Sequence, residues 1–303
     1  MASKRRPVAI VTGGNSGIGF ETARALAKRF RVILAVRSAE RGEAAAVALR
    51  AAVSGAHVAV EALDLADLAS VREFAAHRLA SGEGLDLLVN NAGMMMVPKR
   101  RLSRDGFEMQ FGVNHLGHFA LTGLLWPQLA AAPGARVVTV ASNAHRRGRL
   151  NFADLQGERS YSPYRTYQQA KLANLVFALE LARRAEAAGA GVVSVAAHPG
   201  LAATNLMATG ATAAGGGRLR AAVGDFLFRR IGQSARAGAK PVLTAATAQG
   251  LVGGEYFGPS KFGEWHGPPG PARIFPQAAD LEAGRRLWEV SEDLTGVRFL
   301  NGV

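Results

Sequence analysis

The sequence contains no cysteine. That excludes disulfides, thiolate nucleophiles and cysteine-ligated zinc, and it suits a reducing cytoplasm. Lysine is also scarce: Lys4, Lys28, Lys99, Lys171, Lys240 and Lys261 are the full set. Long hydrophobic runs are missing too, since none reaches the ~18 apolar residues a membrane helix needs. The basic start Lys4-Arg5-Arg6 leads into a short apolar run that stops at Thr12-Gly13-Gly14, too short for a signal-peptide core. The chain therefore reads as soluble and cytoplasmic, with no transmembrane segment. Acidic residues are outnumbered 23 to 36 by Lys and Arg, for a net charge of +13. Such a charge asks whether the partner is nucleic acid, an anionic membrane surface or a polyanionic small molecule. An abundance of Ala, Arg and Gly points equally to compositional bias. What is plentiful is apolar material: 49% of 303 residues is ample for a core and excludes disorder and fibrous repeats.

Apolar runs of strand length fall at 8–12, 32–36, 58–63, 85–90, 137–142 and 192–197. Near-continuous runs of this kind are strands buried on both faces of a parallel sheet. Helical spacing fills the intervals 19–29, 40–53, 68–79, 107–129 and 167–188. The alternation predicts an α/β fold: a single-domain, Rossmann-type, doubly wound, mostly parallel sheet of about seven strands with helices on both faces. Its dinucleotide-binding half is expected over residues 5–135 and its catalytic half over 136–303. A last strand is expected near 255–258 and a last helix over 279–294. The rhythm breaks at 204–238, where Gly215-Gly216-Gly217 precedes an amphipathic stretch. Such an insertion forms either a substrate lid or a surface excursion.

The first strand runs into Thr12-Gly13-Gly14-Asn15-Ser16-Gly17-Ile18-Gly19. Glycines there let backbone amides approach a pyrophosphate, with the positive end of the next helix facing it. After the second strand stands Arg37-Ser38 rather than an acidic residue. A guanidinium beside a hydroxyl suits a 2′-phosphate, so NADP(H) is expected over NAD(H). Asp64-Leu65 ends the third strand, where Asp64 either reaches an adenine edge or caps the next helix. Asn90-Asn91-Ala92-Gly93 closes the fourth strand with small and amide residues suited to a ribose or to a simple turn.

Tyr167 and Lys171 are four residues apart on one helix face, so the ammonium is expected beside the phenol. A positive neighbour favours phenolate and would draw the tyrosine towards general acid/base use. Ser142, at the end of the fifth strand, is placed to hydrogen-bond a carbonyl oxygen as charge develops on it. Asn114 interrupts an otherwise apolar helix.

This order of motifs, Thr-Gly-x3-Gly-x-Gly, Asp, Asn-Asn-Ala-Gly, Asn, Ser, Tyr-x3-Lys, resembles the short-chain dehydrogenase/reductase family over nearly the whole chain. The phrase running from Phe107 to His118, the Lys171-Leu172-Ala173-Asn174 continuation and His198-Pro199-Gly200 with Thr204 resemble its retinol-dehydrogenase and protochlorophyllide-reductase-like subgroup. The wide interval from Ser142 to Tyr167 does so too. The resemblance implies that Tyr167 gives and takes the proton, with Lys171 lowering its pKa and binding the nicotinamide ribose. Ser142 would polarise the carbonyl and Asn114 would hold a relay water. Pro199, Gly200 and Thr204 would lie near the nicotinamide carboxamide. Ala141 and Ala170 depart from the family's frequent serines without touching these roles.

The implied activity is NADP(H)-dependent hydride transfer between nicotinamide and a carbonyl or alcohol of a small molecule. Met95, Met96, Leu206 and Met207 make that molecule apolar if they line the site and say nothing if they pack in the core. Reduction of an activated C=C bond is the nearest chemical alternative, and a non-catalytic NADP(H) sensor is a second. Nucleic-acid binding would rest on Lys99-Arg100-Arg101 and Arg146-Arg147-Gly148-Arg149, unaccompanied by any recognition motif. No metal site is expected, since His115 and His118 alone make no ligand set. A homo-oligomer and weak membrane-surface contact are both compatible with the sequence.

Overall fold

The computed structural model describes residues 5–201 and 233–301. Six strands form where the apolar runs predict them: β1 (Val8–Thr12), β2 (Arg31–Val36), β3 (His57–Ala62), β4 (Leu87–Asn90), β5 (Arg136–Val140) and β6 (Val193–Ala197). They pair in parallel with β7 (Tyr256–Lys261) in the spatial order β3-β2-β1-β4-β5-β6-β7. Successive residues point to opposite faces. Ile10, Ile33, Leu88 and Val137 therefore meet Phe119, Phe177 and Trp288 on one side. Val11, Leu34, Val89 and Val138 meet Leu26, Leu49 and Val242 on the other.

An eighth strand, β8 (His266–Pro271), closes the sheet antiparallel to β7 and corrects the expected seven. Its sequence, His-Gly-Pro-Pro-Gly-Pro, carries no strand propensity. Proline is tolerated there because an edge strand has one side without partners.

The helices α1 (Gly17–Leu26), α2 (Ala39–Ala52) and α3 (Leu68–Ala80) match expectation closely. The long helix predicted over 107–129 does not form as one piece. It divides into α4 (Met109–Phe111), a π-helical turn (Gly112–Leu116), α5 (Gly117–Leu124) and α6 (Trp126–Ala131). Then α7 (Pro163–Ala187) begins four residues earlier than predicted, with Pro163 in its first turn, where the missing N–H costs nothing. Residues 235–238, assigned from the sequence to a lid, open the helix α8 (Ala235–Thr247), capped by Ser234 Oγ accepting from the Ala237 amide at 3.2 Å. Residues 204–232 of that insertion, with Thr204, Leu206 and Met207, lie outside the described residues. The last helix, α9 (Leu281–Thr295), stops at Gly296 in the left-handed conformation (φ 64°). Among the described residues no helix is long and apolar enough to cross a membrane. Strand order reverses between β1 and β4, and the crevice this opens lies at the C-terminal ends of the parallel strands.

Candidate active site

A cleft of about 1550 Å³ occupies that edge. At one end lies the turn after β1, lined by Asn15, Ser16, Gly17 and Ile18. Gly13 (φ 64°) and Gly17 (φ 55°) take the left-handed conformation that glycine alone adopts freely. A Cβ on Gly19 would lie 2.5 Å from the Gly13 carbonyl oxygen, so α1 can approach the turn this closely only with glycine there. Ser16 precedes α1 without a side-chain capping bond, which leaves the first amides of the helix for an anion. The glycine cradle and the uncapped helix end fit a dinucleotide pyrophosphate.

Beneath the turn, fully buried Thr12 ties β1 to β4. Its Oγ1 accepts from the amides of Asn91 and Ala92, both at 2.9 Å. Asn91 Nδ2 donates in return to the Thr12 carbonyl at 2.8 Å. His118 Nδ1 donates to the Asn114 carbonyl at 2.9 Å, which leaves Nε2 to accept the Thr12 hydroxyl proton, also at 2.9 Å. Burial pulls His118 down to about 4, so the ring is neutral and its tautomer is set by these two bonds.

Four residues expected at the dinucleotide do not line the cleft. Arg37 is exposed at the end of β2, and Ser38 caps α2 by accepting from the Arg41 amide at 3.3 Å. Asp64 turns back on its own loop to accept from the Ala66 amide at 3.0 Å. The cap of α3 is Asp67, which accepts from Ala69 and Ser70. Leu65 is buried, with its carbonyl against Gly117. The basic residue that does line this end of the cleft is Arg41, one helical turn beyond Arg37.

At the other end stand Ser142, Tyr167 and Lys171, with Gly93, Pro199 and Gly200 around them. Ser142 follows β5 and caps a short 3₁₀ turn, accepting from the Ala144 amide at 3.2 Å. Tyr167 is buried in the second turn of α7. Burial pushes its phenol up to about 12, with the Ser142 hydroxyl pulling the other way. Lys171 follows four residues on in the same helix. Its ammonium turns to the Val140 carbonyl at 2.9 Å, and burial draws it down to about 8. Desolvation disfavours the charged form of both groups.

Asn114 is buried under the cleft inside the π-helical turn. Its side chain grips the Met94 peptide at both ends: Oδ1 accepts from the amide at 2.8 Å and Nδ2 donates to the carbonyl at 2.9 Å. Met95 and Met96 do line the cleft, and Met96 is held at φ 57°, an uncommon backbone for a side chain of its size. The sequence reading missed Arg41, Asn143, Arg146, Tyr164, Gln168 and Trp265, which also line it. Tyr164 and Gln168 were within reach of it, since they flank Tyr167 on the same helix. No cluster of three or more metal-ligating side chains occurs among the described residues.

The short chain dehydrogenase family model matches residues 7–214. Human retinol dehydrogenase 12 is 41% identical over 295 residues, covering 96% of this chain and 87% of that protein. Human retinol dehydrogenase 13 is 42% identical over 292 residues, covering 95% and 84%. Among solved structures, an uncharacterised protein from Mycobacterium paratuberculosis is 43% identical with a TM-score of 0.77, covering 97% of this chain and 95% of that one. The RhlG/NADP active-site complex of Pseudomonas aeruginosa is 25% identical with a TM-score of 0.62, covering 84% and 94%. The glycine cradle, the Ser-Tyr-Lys end of the cleft and these similarities converge: the chain belongs to the short-chain dehydrogenase/reductase family, in its retinol-dehydrogenase-like group, and is an alcohol/carbonyl oxidoreductase that uses a nicotinamide cofactor.

Proposed function

We propose that the protein interconverts a carbonyl and an alcohol on an apolar small molecule with NADP(H), Tyr167 handling the proton. The observation that carries this reading is the convergence of Ser142, Tyr167 and Lys171 at one end of a cleft whose other end holds Arg41. The nicotinamide supplies or removes the hydride. Tyr167, protonated across the neutral range because its pKa is about 12, is a phenol ready to donate to the nascent alkoxide during reduction. Ser142 donates to the same oxygen and stabilises its charge. Lys171 and the residues Asn91, Ala92 and Gly93 hold the nicotinamide ribose, and Pro199 and Gly200 the carboxamide side. Arg41, with Arg37 behind it, draws the adenosine 2′-phosphate through charge-assisted hydrogen bonds. Met95, Met96, Tyr164 and Trp265 offer an apolar wall, and the names of the relatives direct attention to long apolar alcohols such as retinol. The β1–β4 half and the β5–β8 half would work as one catalytic unit.

The test is a screen of retinoids, aldehydes and ketones with both cofactors, on wild type, Tyr167→Phe and Arg41→Asp. Loss of turnover by about 100-fold or more is expected in Tyr167→Phe. Turnover surviving unchanged there refutes the proton role. Arg41→Asp is expected to reverse the cofactor preference, and a wild type that prefers NAD(H) refutes that part of the proposal.

A further inference from the structure

The hairpin tip between β7 and β8 reaches into the back of the cleft. Phe262 (φ 52°), Gly263 (φ 64°) and Glu264 (φ 67°) all take the left-handed conformation there, strain that surrounding contacts must hold. Those contacts centre on the Glu264 carboxylate. Its Oε2 accepts from His198 Nε2 at 3.0 Å and from Arg146 at 2.7 Å, and its Oε1 from the Arg273 amide at 3.0 Å. The Glu264 carbonyl accepts from Asn143 Nδ2 at 2.8 Å. His198 is fully buried and uses Nδ1 to accept from the Gly200 amide at 3.2 Å, so its proton sits on Nε2 and points at Glu264. Gly258 makes room for this ring, since a Cβ there would lie 2.0 Å from His198 Nε2. The next residue, Trp265, accepts the Leu201 amide at its carbonyl at 3.0 Å.

One carboxylate thus joins two loops that nothing in the sequence links. Asn143 and Arg146 lie on the loop that carries Ser142 after β5. His198 and Gly200 lie on the loop after β6 that forms the opposite wall of the cleft. We infer that Glu264 is a positioning residue that sets the spacing between the Ser142 wall and the Pro199-Gly200 wall, acting through Arg146 and His198 on the seat of the nicotinamide half of the cofactor. This inference rests on the cofactor end of the reading above. Its first readouts are therefore binding and amide exchange, which need no turnover.

The experiment compares wild type, Glu264→Ala and Glu264→Gln by NADPH fluorescence titration and by hydrogen exchange of peptides covering 143–147 and 198–201. In Glu264→Ala both peptides are expected to exchange faster together, while β5 and β6 stay protected, and NADPH is expected to bind about tenfold more weakly. Glu264→Gln keeps one accepting oxygen and is expected to recover part of both effects. Where a substrate is turned over, kcat is expected to fall about 10- to 100-fold in Glu264→Ala. Combining it with His198→Gln should add little further loss. Unchanged exchange in both peptides, exchange rising in only one of them, or losses that multiply in the double variant would overturn the proposal. If Glu264→Ala does not fold, Glu264→Gln carries the same expectations in reduced size. A wild type that binds NADPH yet reduces no carbonyl would sink the proposed reaction and leave the Glu264 inference standing.

Discussion

Two threonines buried fully near the first turn make a controlled pair. Thr12 Oγ1 satisfies two backbone amides and the His118 ring, whereas Thr22 Oγ1 has no hydrogen-bond partner among the described residues. Replacing either by valine keeps the shape. Thr12→Val leaves the Ala92 amide without its acceptor and the Asn91 amide with only the Val89 carbonyl, and is expected to destabilise the fold by about 1–3 kcal/mol. Thr22→Val is expected to be neutral or mildly stabilising. Urea denaturation of the two variants decides, and equal losses would show that the Thr12 bonds carry no special weight. A second expectation concerns Lys171. With its pKa near 8 and that of Tyr167 near 12, raising the pH through 8 removes the ammonium while the phenol stays protonated. Reductive turnover should therefore decline along one limb near pH 8. Lys171→Arg keeps the charge at all working pH values and should remove that limb from what activity remains. A limb that persists in Lys171→Arg belongs to another group.

Elements were legible where burial is continuous. The strands β1, β2, β4, β5 and β6 carry two-sided apolar runs that can be read without knowing the neighbours, while the edge strand β3 is only partly buried. Asn114 drew notice as a polar residue within an apolar helix, but the π-helical turn around it depends on contacts distant in sequence. One of these is Gly117, where a Cβ would stand 2.6 Å from the Leu65 carbonyl oxygen. That approach seats the helix on the loop after β3. Gly117→Ala is expected to push the helix outward, lower stability by about 1–3 kcal/mol and loosen the Met94 peptide that Asn114 grips. Thermal melts together with exchange at residues 94–97 check this, and a variant that matches wild type in both refutes it. Of the β7–β8 hairpin only β7 was legible, as the strand expected near 255–258; β8 escaped because its residues are His, Gly and Pro, and its place comes from pairing with β7. The pKa values of Tyr167 and Lys171 escaped for a related reason. Spacing put them on one helix face, but desolvation by the rest of the molecule governs their charge.

Seen as a whole, the molecule gives many of its arginines structural work. Arg136 donates to the Ala245 and Ala248 carbonyls at the end of α8, and Arg72 to the Thr295 carbonyl at the end of α9. Arg78, 2% exposed, bridges Glu61 and Glu83. Arg146, one of the three arginines of the basic run 146–149, is engaged by Glu264. A planar donor group satisfies carbonyls and carboxylates at helix ends, a task for which Arg is better shaped than Lys. Whole-molecule stability should also depend on acid. Burial holds His115 near 3 and both His118 and His145 near 4, and lowers His198 from its usual 6.5 as well. In the unfolded chain these rings take up protons as the pH falls through 6.5, while in the folded protein His115, His118 and His145 stay neutral until about 4 and His198 is shifted in the same direction. The unfolded state binds more protons across that window, so stability is full above pH 6.5 and declines steadily towards pH 4. Melting temperatures measured from pH 7 to pH 4 should fall throughout, and a flat profile would refute the neutral histidines.

The sheet ends on one side at β8, which carries Pro268, Pro269 and Pro271. Proline has no amide hydrogen, so this edge offers no unbroken ladder of donors to an incoming strand. The prolines that hid β8 from a propensity-based reading are thus its protection against edge-to-edge aggregation. A second copy of the chain would meet an interrupted ladder past β8. Among the described residues, the other edge of the sheet, β3, carries no such prolines.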